Sequence, residues 1–134
     1  MRPRRSRARS QFLFGRSGSS GGGLDIPILS AASDGTPTGD GATGAGVTTT
    51  VGSGRLYWAV VTNGGSCTDA QLIAGAGGNI VAGKAANQAV NQSGAQTIVD
   101  ITGLTGATTY QIKYLHVGGN NAASAQASVD LTTT

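Results

Sequence analysis

From about residue 26 onward the apolar positions recur with period two rather than 3.6, which is the spacing of strands with one face turned to a core. Val47, Thr49 and Val51 alternate with Gly46, Thr48 and Thr50, and Leu56, Trp58 and Val60 alternate with Tyr57, Ala59 and Val61. Gly52-Ser53-Gly54 between them reads as a hairpin connection. The pattern continues at Ile98–Ile101, Tyr110–Tyr114 and Ala125–Leu131, and Ile26–Ala32, with Pro27 near its start, reads as an edge strand. The spacing therefore predicts six or seven strands. One short helix is expected at Thr68–Ala74, where Thr68 and Gln71 form a Thr-x-x-Gln capping box, Leu72 and Ile73 turn toward the sheet, and Gly75, Gly77 and Gly78 end it. Residues 83–94 are polar and weakly patterned, and read as a loop with room for an edge strand.

The first 23 residues follow a different rule. Arg2, Arg4, Arg5, Arg7, Arg9 and Arg16 place six positive charges and no acid in the first sixteen positions. Residues 15–23 are almost wholly Gly and Ser, a composition that cannot bury a core. The chain thus divides into a basic arm with its linker, 1–23, and one domain, 24–134. Beyond the arm three cations, Arg55, Lys84 and Lys113, face six aspartates, so a basic arm is joined to a mildly acidic body. Within the arm, Phe12, Leu13 and Phe14 form an apolar cluster between Arg9 and Arg16. They are placed to act as a peg in a partner's pocket. The arm spans up to about 75 Å when extended, and its guanidinium groups can pair bidentately with carboxylates on a neighbouring subunit.

Composition narrows the chemistry. Charged residues make up 11% of the 134 and aromatics 4%, against 23 glycines, which fits a β domain with long polar loops rather than a surface helix or a highly charged disordered chain. Cys67 is alone, so an intrachain disulfide, a Cys-based zinc site and a CxxC redox pair are all excluded. No apolar run approaches the roughly 18–20 residues of a membrane span. Gln11–Phe14 is too short for the apolar region of a signal peptide, which needs about 7–15 residues.

Sites with catalytic or ligand-binding spacing are weak throughout. Gly39-Asp-Gly-Ala-Thr-Gly44 has the letters GxGxxG, but a strand follows it where a dinucleotide fold needs a helix. His116 is the sole histidine and the chain has no glutamate, so a nucleophile and base have no acid partner nearby in sequence; His116 is expected at a strand end or facing a loop. Asp34 and Asp40 flank a Gly/Thr loop without an EF-hand pattern and read as a solvated turn. Asn91-Gln92-Ser93 is a glycosylation sequon in letters and a polar loop in context. Neither a cofactor nor a metal is expected, and the domain reads as a binding or structural module rather than an enzyme. Leu56, Trp58, Val60 and Ile112 are the expected core.

The last third carries a more specific signal. Leu104-Thr-Gly-Ala-Thr-Thr-Tyr110, followed by Gln-Ile-Lys-Tyr-Leu-His116, resembles the Tyr-corner segment of fibronectin type III domains. That resemblance implies an immunoglobulin-like β-sandwich in which Leu104 and Tyr110 form the corner, the Tyr hydroxyl bonding to nearby backbone. From Leu56 to Thr134 the order of Leu-Tyr-Trp-Ala-Val-Val, Thr-Asp-Ala-Gln-Leu-Ile-Ala-Gly, Gly-Leu-Thr-Gly-Ala-Thr-Thr-Tyr and His-Val-Gly-Gly-Asn-Asn-Ala-Ala is similar to a fibronectin-like module of structural proteins in tailed bacteriophages. It departs from that pattern in having no acid before Gly118-Gly119-Asn120 and in being a single module. The resemblance implies a virion structural protein, as a head decoration, head fibre or tail component, present in many copies and anchored on capsid or tail subunits by its arm. Two other readings stand beside it. Loops at Asp34–Gly44, Gly64–Cys67 and Gly118–Ala123 could carry receptor or glycan recognition at a host surface. The six arginines could neutralise phosphates of a nucleic acid, although the acidic body and the short arm weigh against that.

Overall fold

The computed structural model describes residues 25–134, an all-β arrangement of antiparallel sheets with one short helix. The arm, the linker and Leu24 lie outside the described residues. A three-stranded sheet is formed by β1 (Leu29–Ser33), β4 (Gly46–Thr49) and β7 (Gly94–Thr97), with β4 central. A four-stranded sheet has the order β6-β5-β8-β9, from β6 (Ile80–Ala89), β5 (Arg55–Thr62), β8 (Thr109–Val117) and β9 (Ala127–Thr132). A two-stranded ribbon, β2 (Thr36–Pro37) with β3 (Ala42–Thr43), and the helix α1 (Asp69–Ala74) complete the fold.

Alternation along β5 and β8 explains how the two larger sheets share a core. Leu56, Trp58 and Val60 on β5 and Ile112 and Tyr114 on β8 point to one side, where they meet Val47 of β4, Leu131 of β9 and the buried Ile98, Ile101 and Leu104. All four expected core residues lie there, Trp58 being 5% exposed and the others fully buried. On the opposite face Ala59 and Leu115 would be left to water, but Leu72 of α1 covers them, with Tyr57, Cys67, Ile80, Ala85 and Val117 at the margin. The central strand β5 is therefore buried on both faces, and this is why it reads as a nearly continuous apolar run.

The helix starts where its capping box places it. The Thr68 hydroxyl accepts from the Gln71 N–H at 3.1 Å, and the Gln71 side chain accepts from the Thr68 N–H at 2.9 Å. Gly75 ends it in the left-handed conformation, φ 75°. Only Leu72 is buried; Ile73, expected beside it, is 44% exposed, because consecutive helical residues point about 100° apart and Leu72 already faces the sheet.

Three strand-level expectations need correction. Val47–Thr49 and Leu56–Val61 are not a hairpin: β4 and β5 belong to different sheets, and Gly52–Gly54 carries the chain across the core from one to the other. Both strands bury one face in the same core, so facing each other satisfies their alternation as well as pairing would. Ile98–Ile101 is not a strand of the sheets; β7 ends at Thr97, and Ile98 and Ile101 fill the core from the connection that follows, Ile101 through a single bridge to Ala42. The loop expected over residues 83–94 is shorter: the edge strand for which it left room is β6, Ile80–Ala89, whose Ala, Gly, Asn and Gln residues carry no apolar alternation because both faces of an edge strand are half open.

Candidate functional site

The end of the molecule where the arm joins is built from four segments: residues 25–28, the crossing 50–54, the turn 90–93 and the loop 118–126. Pro27 is fully buried, while Ile26 and Ile28 on either side of it stand 61% and 64% exposed. Period two explains the contrast, since an extended segment that buries its central residue turns both neighbours outward. The segment is held along its length. Ile28 exchanges bonds with Thr50, its N–H donating to the Thr50 hydroxyl at 3.0 Å and its carbonyl accepting from the Thr50 N–H at 3.3 Å. The Asn120 side chain donates to the Asp25 carbonyl at 3.0 Å. The root of the arm is thus fixed at both of its ends.

His116 organises the base of this region. It lies at a strand end, as expected, one residue before β8 closes, and its side chain is wholly buried, with Nε2 2.6 Å from the Ser53 carbonyl and Nδ1 2.6 Å from the Thr49 hydroxyl. A carbonyl can only accept, so Nε2 carries the proton; in the neutral ring Nδ1 then accepts from Thr49. The backbone of His116 is bound as well, its N–H to the Ser124 hydroxyl at 3.0 Å and its carbonyl to the Ser124 N–H at 2.8 Å. One residue therefore joins β4, the crossing and the loop 118–126. Ser53 in turn accepts from the Gly119 N–H at 3.1 Å. Gly54 must be glycine here: φ is 83°, and a Cβ would stand 2.0 Å from the Val117 carbonyl oxygen.

The opposite end is closed by backbone and hydroxyl bonds. Asp40, considered with Asp34 as a cation pair, has its carboxylate engaged by the Thr38 hydroxyl at 3.3 Å and the Gly103 N–H at 3.2 Å. Among the described residues no group of three or more His, Cys, Asp or Glu side chains could hold a metal ion. Tyr110 is 9% exposed and its hydroxyl accepts from the Thr105 N–H at 3.1 Å, beside Leu104 at 7% exposed. Tyr114 crosses between the larger sheets, its hydroxyl donating to the Ser33 carbonyl at 2.9 Å. Burial, and then the Asp34 carboxylate, push the Tyr114 phenol above its ordinary value. Burial also pushes the Cys67 thiol up, which lowers its thiolate fraction and its nucleophilicity.

The sequence-selected loops do not form one surface. Gly118–Ala123 lies at the arm end with Ser53 and Asp25, whereas Asp34–Gly44 bonds to Gly103, Leu104 and the C-terminal Thr134 at the far end, and Gly64–Cys67 follows the far end of β5. Tyr57, Trp58, Tyr110 and Tyr114, the aromatic residues among the described ones, are all on strands. The arm residues Arg2, Arg4, Arg5, Arg7, Arg9, Phe12, Leu13, Phe14 and Arg16 lie outside the described residues. Sequence reasoning missed Ile26, Ile28 and Asn120. Exposure of the two isoleucines was concealed by reading them as one apolar strand, and nothing in the sequence marks Asn120 as the clamp on Asp25. Among the described residues no helix is long and apolar enough to cross a membrane. In comparisons with protein families, curated proteins and solved structures, the chain matched none.

Proposed function

We propose that this chain is a structural protein of a bacteriophage particle, a fibronectin type III-like β-sandwich that docks on capsid or tail subunits through its basic arm. The strand orders β1-β4-β7 and β6-β5-β8-β9, the hydroxyl of Tyr110 on the backbone five residues before it, and a shared core between the sheets support the sandwich type. The observation that carries the docking role is the fixed root of the arm: Asp25 held by Asn120, Pro27 buried, and Ile26 and Ile28 exposed beside it. A fixed segment with Ile26 and Ile28 facing out offers a partner apolar contact on the body, in addition to what Phe12, Leu13 and Phe14 would supply from the arm. Arginines add pairing with acidic subunits. The module acts at the particle, with no cofactor and no catalytic step.

Recognition of a receptor or glycan by the loops is less well supported. A sugar platform uses aromatic side chains on clustered loops, and the described aromatics lie on strands while the selected loops sit at opposite ends. Changing Phe12 and Phe14 together to alanine tests the docking role. Incorporation into particles should fall, and it should stay low at high salt, because apolar burial is not screened as surface charge is. Undiminished incorporation would refute the peg.

A further inference from the structure

A sheet has two edges, and an edge with small uncharged side chains is a template for another strand. Three of the four edges in the two larger sheets are blunted. β1 is bulged, Ala31 and Ala32 standing against the single residue Val47 of β4 between Ser30 and Ser33, and it lies beside β9. β9 carries Asp130 in mid-strand, and β7 is only four residues long. The fourth edge, β6, is ten residues long and pairs on one side with β5 alone among the described residues.

Within β6 the run Ala85–Ala89 is regular, each residue opposite one of β5 from Ala59 back to Arg55. The preceding residues bulge outward at Gly83, φ 76°, and carry the strand's single charge away: the Lys84 ammonium lies against Gly103, where a Cβ would stand 2.6 Å from Nζ. Asn87 is drawn back onto its own sheet, its carbonyl oxygen accepting from Arg55 Nε at 2.7 Å, and the Gln88 amide donates to the Thr97 carbonyl at 3.1 Å. Methyl groups of Ala85, Ala86 and Ala89 do not screen the backbone.

We propose that β6 is a self-association edge, pairing antiparallel with β6 of a second copy of this chain about a two-fold axis. A two-fold interface requires a patch complementary to itself, and this run meets that requirement. Centred on Asn87, it sets Ala86 opposite Gln88, Ala85 opposite Ala89, and Lys84 opposite Val90, so the one charged residue of β6 does not face its own copy. Small side chains leave the backbone hydrogen bonds that give β-addition its affinity, and two four-stranded sheets become one of eight. The pairing is independent of the arm and of its docking role.

Sedimentation equilibrium of the full chain, with the arm present, tests it. The mass should rise with concentration from 13.2 kDa toward twice that value. Ala86 is exposed, and Ala86→Lys places the lysines of two copies near each other on one face, weakening association by about tenfold or more. Its circular dichroism spectrum should match that of the parent, and mixing it with Ala86→Asp should restore dimers. A parent chain that stays monomeric into the millimolar range overturns the proposal, as does a folded Ala86→Lys variant that associates like the parent, or a mixture that fails to associate.

Discussion

Replacing His116 by leucine removes a side chain that ties β4 to the sheet crossing while keeping a similar volume. Two hydrogen bonds vanish, one to the Thr49 hydroxyl and one to the Ser53 carbonyl. Thr49 is 2% exposed, so its hydroxyl proton loses its acceptor with no access to water, while its oxygen still accepts from the Val51 N–H at 3.5 Å. Ser53 is exposed, and its carbonyl can be rehydrated. Each lost bond is worth about 0.5–1.5 kcal/mol net, and the stranded Thr49 hydroxyl adds about 1–3 kcal/mol. The total is about 2–4 kcal/mol after the rehydration of Ser53 is allowed for. Urea denaturation followed by tryptophan fluorescence measures it, since Trp58 reports the core. Thr49→Val in the same background should then cost less than Thr49→Val alone, by about 1 kcal/mol, because the two share one bond. A His116→Leu variant within 0.5 kcal/mol of the parent would refute the bridging role, being the range of ordinary surface substitutions. Amide exchange extends the test to function: the Gly119 N–H should lose protection first, since its acceptor is the hydroxyl of Ser53, the residue whose carbonyl His116 holds, whereas the Ser124 N–H keeps its bond to the residue 116 carbonyl.

Tyr114→Phe should cost about 0.5–1.5 kcal/mol through the lost bond to Ser33. The native Tyr114 phenol is raised, so its contribution is whole below the ordinary tyrosine pKa of about 10 and is lost as pH rises beyond it; the parent's denaturation midpoint should fall above that pH more steeply than the variant's, and parallel curves would contradict the assignment. Ala31 sits in the left-handed region at φ 53°, a conformation costing an L-residue about 1–2 kcal/mol. Ala31→Gly should therefore leave stability unchanged or raise it by up to about 1 kcal/mol, whereas Ala32→Gly should lower it by about 0.5–1 kcal/mol; equal losses at the two positions would show that the bulge stores no strain.

What the sequence disclosed follows from how strongly a residue's environment constrains its type. Leu56, Trp58, Val60 and Ile112 lie in strands buried on both faces or facing the main core, where alternation groups them on one side. Thr68 and Gln71 are legible because a capping box is a local arrangement, complete within four residues. The topology of β4 and β5 was not legible, since a crossing and a hairpin impose the same alternation and both accept Gly52-Ser53-Gly54. β6 was legible only as room for an edge strand within residues 83–94, because an edge strand of alanine, asparagine and glutamine buries too little to need a period. His116, the sole histidine, gave no sign of its partners, because Thr49 and Ser53 lie 67 and 63 residues away along the chain. The candidate docking end likewise depends on Asn120 reaching Asp25 across 95 residues.

The central claim is that the arm, and not the two sheets, specifies where the protein goes. Particles lacking the native chain can be mixed with three proteins: the full chain, residues 24–134 alone, and residues 1–28 fused to an unrelated soluble domain so that Ile26 and Ile28 accompany the arm. Co-sedimentation with quantified copy number reads all three at once, and circular dichroism checks that the shortened domain keeps its β spectrum. The full chain and the fusion should join the particles, and residues 24–134 should remain in the supernatant. If the folded armless domain instead incorporates at the full chain's copy number, the sheets themselves carry the interface and the account is contradicted.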